Sequence, residues 1–205
     1  MKRYSAESIY NGRLIVYLEG VGRYEILRVT AELFKADVPA CIVPIPRENK
    51  RQCLSNMLLL SDRFGEDIII GAEIDSSKKE IREARKNGAK MVVLKRAEEK
   101  IIKYAKKLGL IVLSEETNPS LAAISVSAGA DIIAVTEKVE DFLSPSVTDR
   151  LFVSVKDEKE IAALKEKGHF GYILSSPIVT EELLKEKNYP PMKEKADEIL
   201  KLINE

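Results

Sequence analysis

Short apolar runs recur along the chain, and none of them alternates with polar residues. Eight such runs are present: Leu14–Leu18, Ala40–Val43, Asp67–Gly71, Lys90–Leu94, Leu110–Leu113, Asp131–Val135, Leu151–Val155 and Gly171–Leu174. Their first residues lie about 20 to 27 positions apart. Continuous Val, Ile and Leu runs are typical of parallel strands, because both faces of such a sheet are covered. The pattern therefore predicts eight parallel strands.

Four segments between the later strands predict helices, and three of them are amphipathic and rich in charged residues. They cover Ser76–Asn87, Ala97–Leu108, the residues from Asn118 to Gly129, and Glu158–Lys167. Asn118 followed by Pro119 is a typical helix start, since an Asn side chain caps free backbone amides and proline fits the first helical position. A glycine comes after each of these segments and is a common stop signal. The order helix, glycine, strand thus recurs.

Eight strand–helix units without a linker favour a fold of the α/β class, a (β/α)8 or TIM barrel, with residues 1–205 as a single domain. The alternative is a doubly wound open sheet, which needs neither eight units nor this even spacing. The glycine-rich phosphate loop of such sheets is also missing. Gly20 and Gly22 after the first strand form only G-x-G, which is a weak signal.

Composition and charge narrow the classes of function. Apolar residues make up 45% of the chain and charged residues 32%, with 33 basic and 33 acidic side chains. This balance argues against nucleic-acid binding, for which a basic surface is typical. No apolar run is long enough to span a membrane, and the first residues lack the apolar centre of a signal peptide, so a cytoplasmic protein is expected. The abundance of Lys and Glu is typical of thermophile proteins.

Polar residues follow almost every predicted strand, at the end of the barrel where such folds place their active sites. They are Glu19, Arg47, Glu73, Asp75, Lys95, Arg96, Glu115, Glu116, Glu137, Lys138, Lys156, Asp157, Ser175 and Ser176. A ring of both signs is able to hold an anionic substrate and to supply an acid–base pair. Charges at strand ends also commonly face solvent or neutralise one another, and this interpretation stays open.

Metal and cofactor chemistry find little support in the sequence. Cys41 and Cys53 form neither a disulfide framework nor a metal knuckle. His169 precedes the eighth strand, at the end of the barrel opposite the strand-end carboxylates. Those carboxylates leave an oxygen-only magnesium site as a poorly specified alternative, formed by Glu73, Asp75, Glu115 and Glu116. No cofactor and no metal site is expected.

Several segments match a known enzyme family in spacing and small residues. They are Leu14–Leu27, Gly71-Ala72, Gly88-Ala89, Asn118-Pro119-Ser120, Ile173–Val179 and Asn188-Tyr189. Together they resemble the class I aldolases that cleave 2-keto-3-deoxy-6-phosphogluconate and 4-hydroxy-2-oxoglutarate, the KDPG/KHG aldolases, from about Leu14 to Ile203. The resemblance implies a class I aldolase-like barrel that assembles as a homotrimer. It also implies a carbon–carbon lyase whose partner is a small anionic metabolite, either a keto acid or a phosphorylated sugar acid.

The residues that carry the family's chemistry do not recur at the matching positions. The resemblance places the Schiff-base lysine at Ala134 and the proton-shuttling glutamate at Ile42 or Val43. An alanine forms no imine, and an aliphatic side chain moves no proton. The paired glycines that wrap substrate phosphate are replaced by Lys156-Asp157 and by Leu174-Ser175, while Ser176 matches. The usual aldolase reaction at the usual positions is therefore not expected.

Two functions remain open, and the first is an enzyme with relocated chemistry. Lys95 stands where the family has a proline that lines the pocket, and desolvation there is expected to lower its pKa and make it a nucleophile or base. Glu19, which faces inward by the same parity, is its expected acid–base partner. The residues expected to bind substrate are Arg47 for a carboxylate, Lys156, Ser175 and Ser176 for a phosphate or second carboxylate, and Glu115.

The second function is a binding or scaffold protein that has lost catalysis. In that case Lys95 and Glu19 belong to an ion-pair network that fills a closed barrel mouth. An open mouth lined by these two residues favours an enzyme or a sensor of small ligands, whereas a mouth sealed by side chains favours a scaffold.

Overall fold

The computed structural model describes residues 5–95, 98–136, 139–142, 144–145, 147–168 and 171–205. The strands are β1 Leu14–Tyr17, β2 Ala40–Pro44, β3 Ile69–Ile74, β4 Met91–Lys95, β5 Ile111–Glu115, β6 Ile132–Val135, β7 Leu151–Ser154 and β8 Gly171–Leu174. The helices are α1 Ala6–Gly12, α2 Ile26–Lys35, α3 Lys50–Phe64, α4 Lys78–Lys86, α5 Glu99–Lys107, α6 Pro119–Ser127, α7 Glu158–Lys165, α8 Glu181–Glu186 and α9 Pro190–Asn204. Within the described ranges, no helix combines the length and apolar character needed to cross a bilayer.

All eight strands are parallel and close into a barrel in chain order. Each strand pairs with the next, and β8 returns to β1, with Tyr172 beside Leu14 and Leu174 beside Val16. The predicted (β/α)8 barrel is confirmed. The open doubly wound sheet is excluded, because closure leaves no edge strand.

The apolar side chains of the strands form two separate cores. One core fills the barrel interior and includes Ile15, Ile69 and Phe152. The larger core lies between the strands and the surrounding helices and includes Val16 and Ile70. Successive residues of a strand point to opposite faces, so an unbroken apolar run supplies both cores at once. This is the physical reason why the runs do not alternate.

The third strand differs from its predicted bounds. The apolar run predicted Asp67–Gly71, whereas β3 covers Ile69–Ile74 and contains Glu73. Lys95 and Glu115 likewise form the last positions of β4 and β5 instead of following them. Hydropathy places these strand ends too early because the last inward positions face the open end of the barrel, where charged side chains are solvated.

Local capping explains where the helices begin and end. The Asn118 side chain accepts hydrogen bonds from the backbone amides of Ser120 and Leu121, as predicted for the start of α6. Ser77 caps α4 by accepting from the amide of Glu80. The stop signal after α6 is also confirmed, because Gly129 has φ of +103°, a conformation that glycine adopts most easily.

Helix α1 closes the amino end of the barrel. Ile9 is fully buried, and both Ile9 and Tyr10 contact the interior core. The Tyr10 hydroxyl donates to the carbonyl of Asp131, and its ring centre lies 6.5 Å from that of Phe152. With this end plugged, access to the interior is left to the carboxyl end of the strands.

Candidate active site at the barrel mouth

A cavity of about 920 Å³, called the mouth below, opens at the carboxyl end of the strands. Most of its polar lining comes from positions at or just beyond the strand ends: Tyr17, Glu19, Glu73, Lys95, Glu115, Thr136, Ser154, Lys156, Ser175 and Ser176. Glu181 of α8 also lines it. Along a strand and its direct continuation the lining residues are commonly spaced by two, as are Ser154 and Lys156, because alternate side chains face the interior. Ser175 and Ser176 follow the end of β8 and both line the cavity. Among the described residues, no side chain seals this cavity.

Six of the seven site residues predicted from the sequence line the mouth: Glu19, Lys95, Glu115, Lys156, Ser175 and Ser176. Their roles in binding or catalysis remain predictions. Four further polar residues on the strands or at their ends also face the cavity, namely Tyr17, Glu73, Thr136 and Ser154, and Glu181 of α8 faces it as well. The period of two along each strand is the signal that identifies the first four, provided that the strand end is placed correctly.

Arg47 is the predicted site residue that lies outside the mouth. Its Nη2 lies 2.5 Å and its Nε 2.7 Å from Oδ2 of Asp75, and its side chain is 85% exposed. It lines an adjoining cavity of about 560 Å³ that shares Glu19, Glu73 and Lys95 with the mouth. Arg47 thus occupies the rim, with its guanidinium already bound to a carboxylate.

Lys95 is paired with a different carboxylate from the one expected. Its ammonium forms an ion pair with Glu73 of β3 and lies 4.0 Å from the carboxylate of Glu115 on β5. The Lys95 side chain is 57% exposed, whereas that of Glu73 is 18% exposed. Glu19, the predicted partner, makes no ion pair with any described residue.

The prediction of a lowered pKa for Lys95 is wrong in its direction. The hydrogen bond to Glu73 raises the pKa of Lys95 above its ordinary value, and the charges of Glu73 and Glu115 act in the same direction. Partial burial lowers this pKa but does not outweigh the carboxylates. Lys95 is therefore an ammonium at neutral pH. Burial alone lowers the pKa of a lysine, but the carboxylate of Glu73 against the amine reverses the direction of the shift.

The two positions compared with the aldolase lysine and glutamate both face the interior. Ala134 is 2% exposed and pairs in register with Glu115 and Phe152. Ile42 belongs to the interior core, whereas Val43 belongs to the outer one. Neither inward residue offers an amine or a carboxylate, so any reaction in the mouth depends on other side chains.

Glu116 points away from the mouth, into the layer between β5 and α6. It is 2% exposed, and its Oε1 accepts from Ser114 Oγ at 2.8 Å and from Ser125 Oγ at 2.6 Å. It therefore cannot join Glu73 and Glu115 at the magnesium site considered above. Among residues 5–95, 98–136, 139–142, 144–145, 147–168 and 171–205, no group of three His, Cys, Asp or Glu side chains is arranged to hold a metal ion.

Other strand-end residues have local roles or lie outside the described ranges. Asp157 caps α7, accepting from the backbone amides of Lys159 and Glu160. The predicted candidates outside the described residues are Arg96, Glu137, Lys138 and His169.

Comparison with solved structures identifies barrels of the same fold. A KDPG aldolase from Legionella pneumophila, with pyruvate captured as a covalent carbinolamine intermediate, has a TM-score of 0.76 at 14% identity, over 96% of this chain and 98% of that chain. A 4-hydroxy-2-oxoglutarate/2-dehydro-3-deoxyphosphogluconate aldolase from TTHB1 has a TM-score of 0.75 at 16% identity, over 97% and 98% of the two chains. A 3-keto-L-gulonate-6-phosphate decarboxylase from Vibrio cholerae has a TM-score of 0.65 at 11% identity, over 90% and 96%.

At these identities the likeness concerns the fold. No protein-family model matches the chain, and no curated protein matches it.

Replacing Ser125 with Ala tests the orientation of Glu116. The change removes a buried donor to the Glu116 carboxyl group and is expected to lower the free energy of unfolding by about 1–3 kcal/mol, measured by urea denaturation. Ser127→Ala on the same helix is the matched control, since the exposed Ser127 hydroxyl donates only to the Ala123 carbonyl. Its expected effect is within about 0.5 kcal/mol. Equal effects of the two substitutions contradict this placement of Glu116.

Proposed function

We propose that the mouth is the active site of an aldolase-like lyase that acts on a small keto acid or a phosphorylated sugar acid. The observation that carries this proposal is Lys95, whose side chain is 57% exposed in an open cavity and is held there by Glu73. The fold neighbours support the substrate class, because their names specify 2-keto-3-deoxy-6-phosphogluconate and 3-keto-L-gulonate 6-phosphate.

The proposed reaction uses Lys95 as an ammonium and forms no Schiff base. When the bond between the α- and β-carbons of a β-hydroxyketone breaks, its electron pair forms the double bond of an enolate and the carbonyl oxygen becomes negatively charged. An ammonium hydrogen-bonded to that oxygen stabilises the developing negative charge. In an aldol cleavage a base also takes the proton of the substrate hydroxyl and returns a proton to the enolate carbon. Glu19 is assigned this role, because its carboxylate is not occupied by an ion pair with a described residue.

The opposite side of the mouth is proposed to bind the anionic group of the substrate. Lys156 follows β7, and Ser175 and Ser176 follow β8, so an ammonium and two hydroxyl groups line neighbouring parts of the wall. Such donors suit a phosphate or a second carboxylate. Glu115 is assigned to accept a hydrogen bond from a substrate hydroxyl. Arg47 is a weaker carboxylate ligand than the sequence predicts, since it must first release Asp75.

Ligand binding without turnover is a second function with an observation in its favour. Among the described residues that line the mouth, Glu19, Glu73, Glu115 and Glu181 outnumber Lys95 and Lys156. This excess of carboxylates opposes the negative charge that develops on an enolate, which disfavours catalysis more than it disfavours recognition of a substrate with many hydroxyl groups.

The homotrimer remains a prediction that rests on the family resemblance. Exposed apolar side chains support self-association, because Leu121 and Ile124 of α6 are 43% and 50% exposed. Sedimentation velocity is expected to give three times the 23.0 kDa mass of one chain. A particle of one chain mass at micromolar concentration contradicts the prediction.

Substituting Lys95 with Ala tests the proposed lyase. Pyruvate release from 2-keto-3-deoxy-6-phosphogluconate or 4-hydroxy-2-oxoglutarate is expected to fall about 100- to 1,000-fold in kcat, the usual cost of losing one donor to a developing oxyanion. Lys103→Ala is the matched control, because Lys103 forms an exposed ion pair with Glu99 on α5, outside the mouth. Its activity is expected to equal that of the unmodified protein.

Borohydride treatment in the presence of pyruvate separates this mechanism from Schiff-base chemistry. The protein is expected to keep its mass, and a pyruvate adduct on Lys95 contradicts the ammonium role. If either substrate raises the melting temperature of the protein but is not turned over, ligand binding without catalysis is supported instead. If the substrates neither raise the melting temperature nor are turned over, both functions are contradicted.

A further inference from the structure

Lys95 lies between two carboxylates that reach it from the strands on either side. Glu73 on β3, Lys95 on β4 and Glu115 on β5 all line the mouth, and we call these three residues the clasp. The ammonium is in direct contact with Glu73 and lies 4.0 Å from Glu115. Glu73 is the more buried of the two acids, at 18% exposure against 32%.

The other charged groups near the clasp are already occupied or are not paired with Lys95. Glu19, Lys156 and Glu181 line the same cavity but make no ion pair with Lys95. Glu181 binds Lys185 at 2.7 Å. In the adjoining cavity Arg47 and Asp75 neutralise each other. Glu73 is thus the main electrostatic partner of Lys95 among the described residues.

We propose that Glu73 is a positioning residue that fixes Lys95 in the mouth as a hydrogen-bond donor and prevents it from acting as an imine-forming amine. A lysine has a four-carbon stem and many rotamers, so its ammonium needs a fixed partner to keep one position. Glu73 meets this need from the neighbouring strand. The inference deepens the proposed function and rests on the role assigned there to Lys95.

The requirements of imine formation explain why the ion pair with Glu73 affects the reactivity of Lys95. To form an imine, Nζ must attack a carbonyl carbon with its lone pair, after which water leaves. An ammonium has no free lone pair, and the carboxylate of Glu73 holds the proton on nitrogen. Replacing Glu73 with Gln keeps the size of the side chain but removes its charge, which lowers the pKa of Lys95 and increases the fraction of free amine at alkaline pH.

Reductive methylation with formaldehyde and cyanoborohydride measures this fraction directly. In that reaction the free amine forms an imine with formaldehyde, and hydride from cyanoborohydride reduces it to a methylamine. Peptide mass spectrometry then gives the modification rate of Lys95 at each pH. At pH 9, Glu73→Gln is expected to raise the rate roughly 3- to 10-fold and to move the pH–rate profile to lower pH.

Two further variants show whether the effect comes from charge and position. Glu73→Asp keeps the charge on a shorter side chain and is expected to restore a profile between those of the unmodified protein and Glu73→Gln. Glu99→Gln is the matched control, because it removes the carboxylate from the exposed pair with Lys103. The rate at Lys103 is expected to change less than about 2-fold, as for a solvent-screened ion pair.

An unchanged Lys95 profile in Glu73→Gln overturns the inference, as does a Glu73→Asp profile identical to that of Glu73→Gln. If Glu73→Gln fails to fold, the Glu73→Asp profile is used alone. A Glu73→Asp profile identical to that of the unmodified protein then overturns the inference. The measurement needs no substrate. If the pH–rate profile of Lys95 shifts but the protein has no lyase activity, the positioning role of Glu73 is supported and the proposed lyase function is contradicted.

Discussion

The pairing of β8 with β1 closes the barrel, and the arrangement of the two cores and of the mouth depends on this closure. Closure gives each strand one inward and one outward face, and the alternation of side chains then decides which residues meet at the mouth. Glu73, Lys95 and Glu115 come from three successive strands and face the same cavity for this reason. Helix α1 closes the amino end of the barrel, and the polar residues of the mouth lie at the carboxyl end.

The ion pair between Lys95 and Glu73 holds an ammonium group in the mouth, and the proposed chemistry rests on it. Ala134 stands at the position compared with the aldolase lysine, and Ile42 or Val43 at the position compared with the glutamate. None of these three side chains supplies an amine or a carboxylate. Lys95 stands nearer the opening, on β4, and its carboxylate partner keeps it charged. The proposed reaction therefore uses the mouth to stabilise an oxyanion and does not use an amine as a nucleophile.

Much of the fold could be predicted from the sequence because each strand must fill two cores, which makes it an unbroken apolar run. The period of two also indicates which strand-end residues share a cavity. The partner of Lys95 could not be predicted, because it depends on the distance between side chains of neighbouring strands. The predicted direction of the pKa shift of Lys95 is wrong for the same reason. Glu116 differs from Glu115 by a single position, and that one step places it beneath α6.

The most direct test of the central claim is a crystal structure of the protein with 4-hydroxy-2-oxoglutarate bound. The ligand is expected to occupy the mouth, with its keto oxygen about 3 Å from Nζ of Lys95 and with no covalent bond between them. Continuous electron density from Nζ of Lys95 to the keto carbon contradicts the account, and so does a ligand bound elsewhere while the mouth is empty.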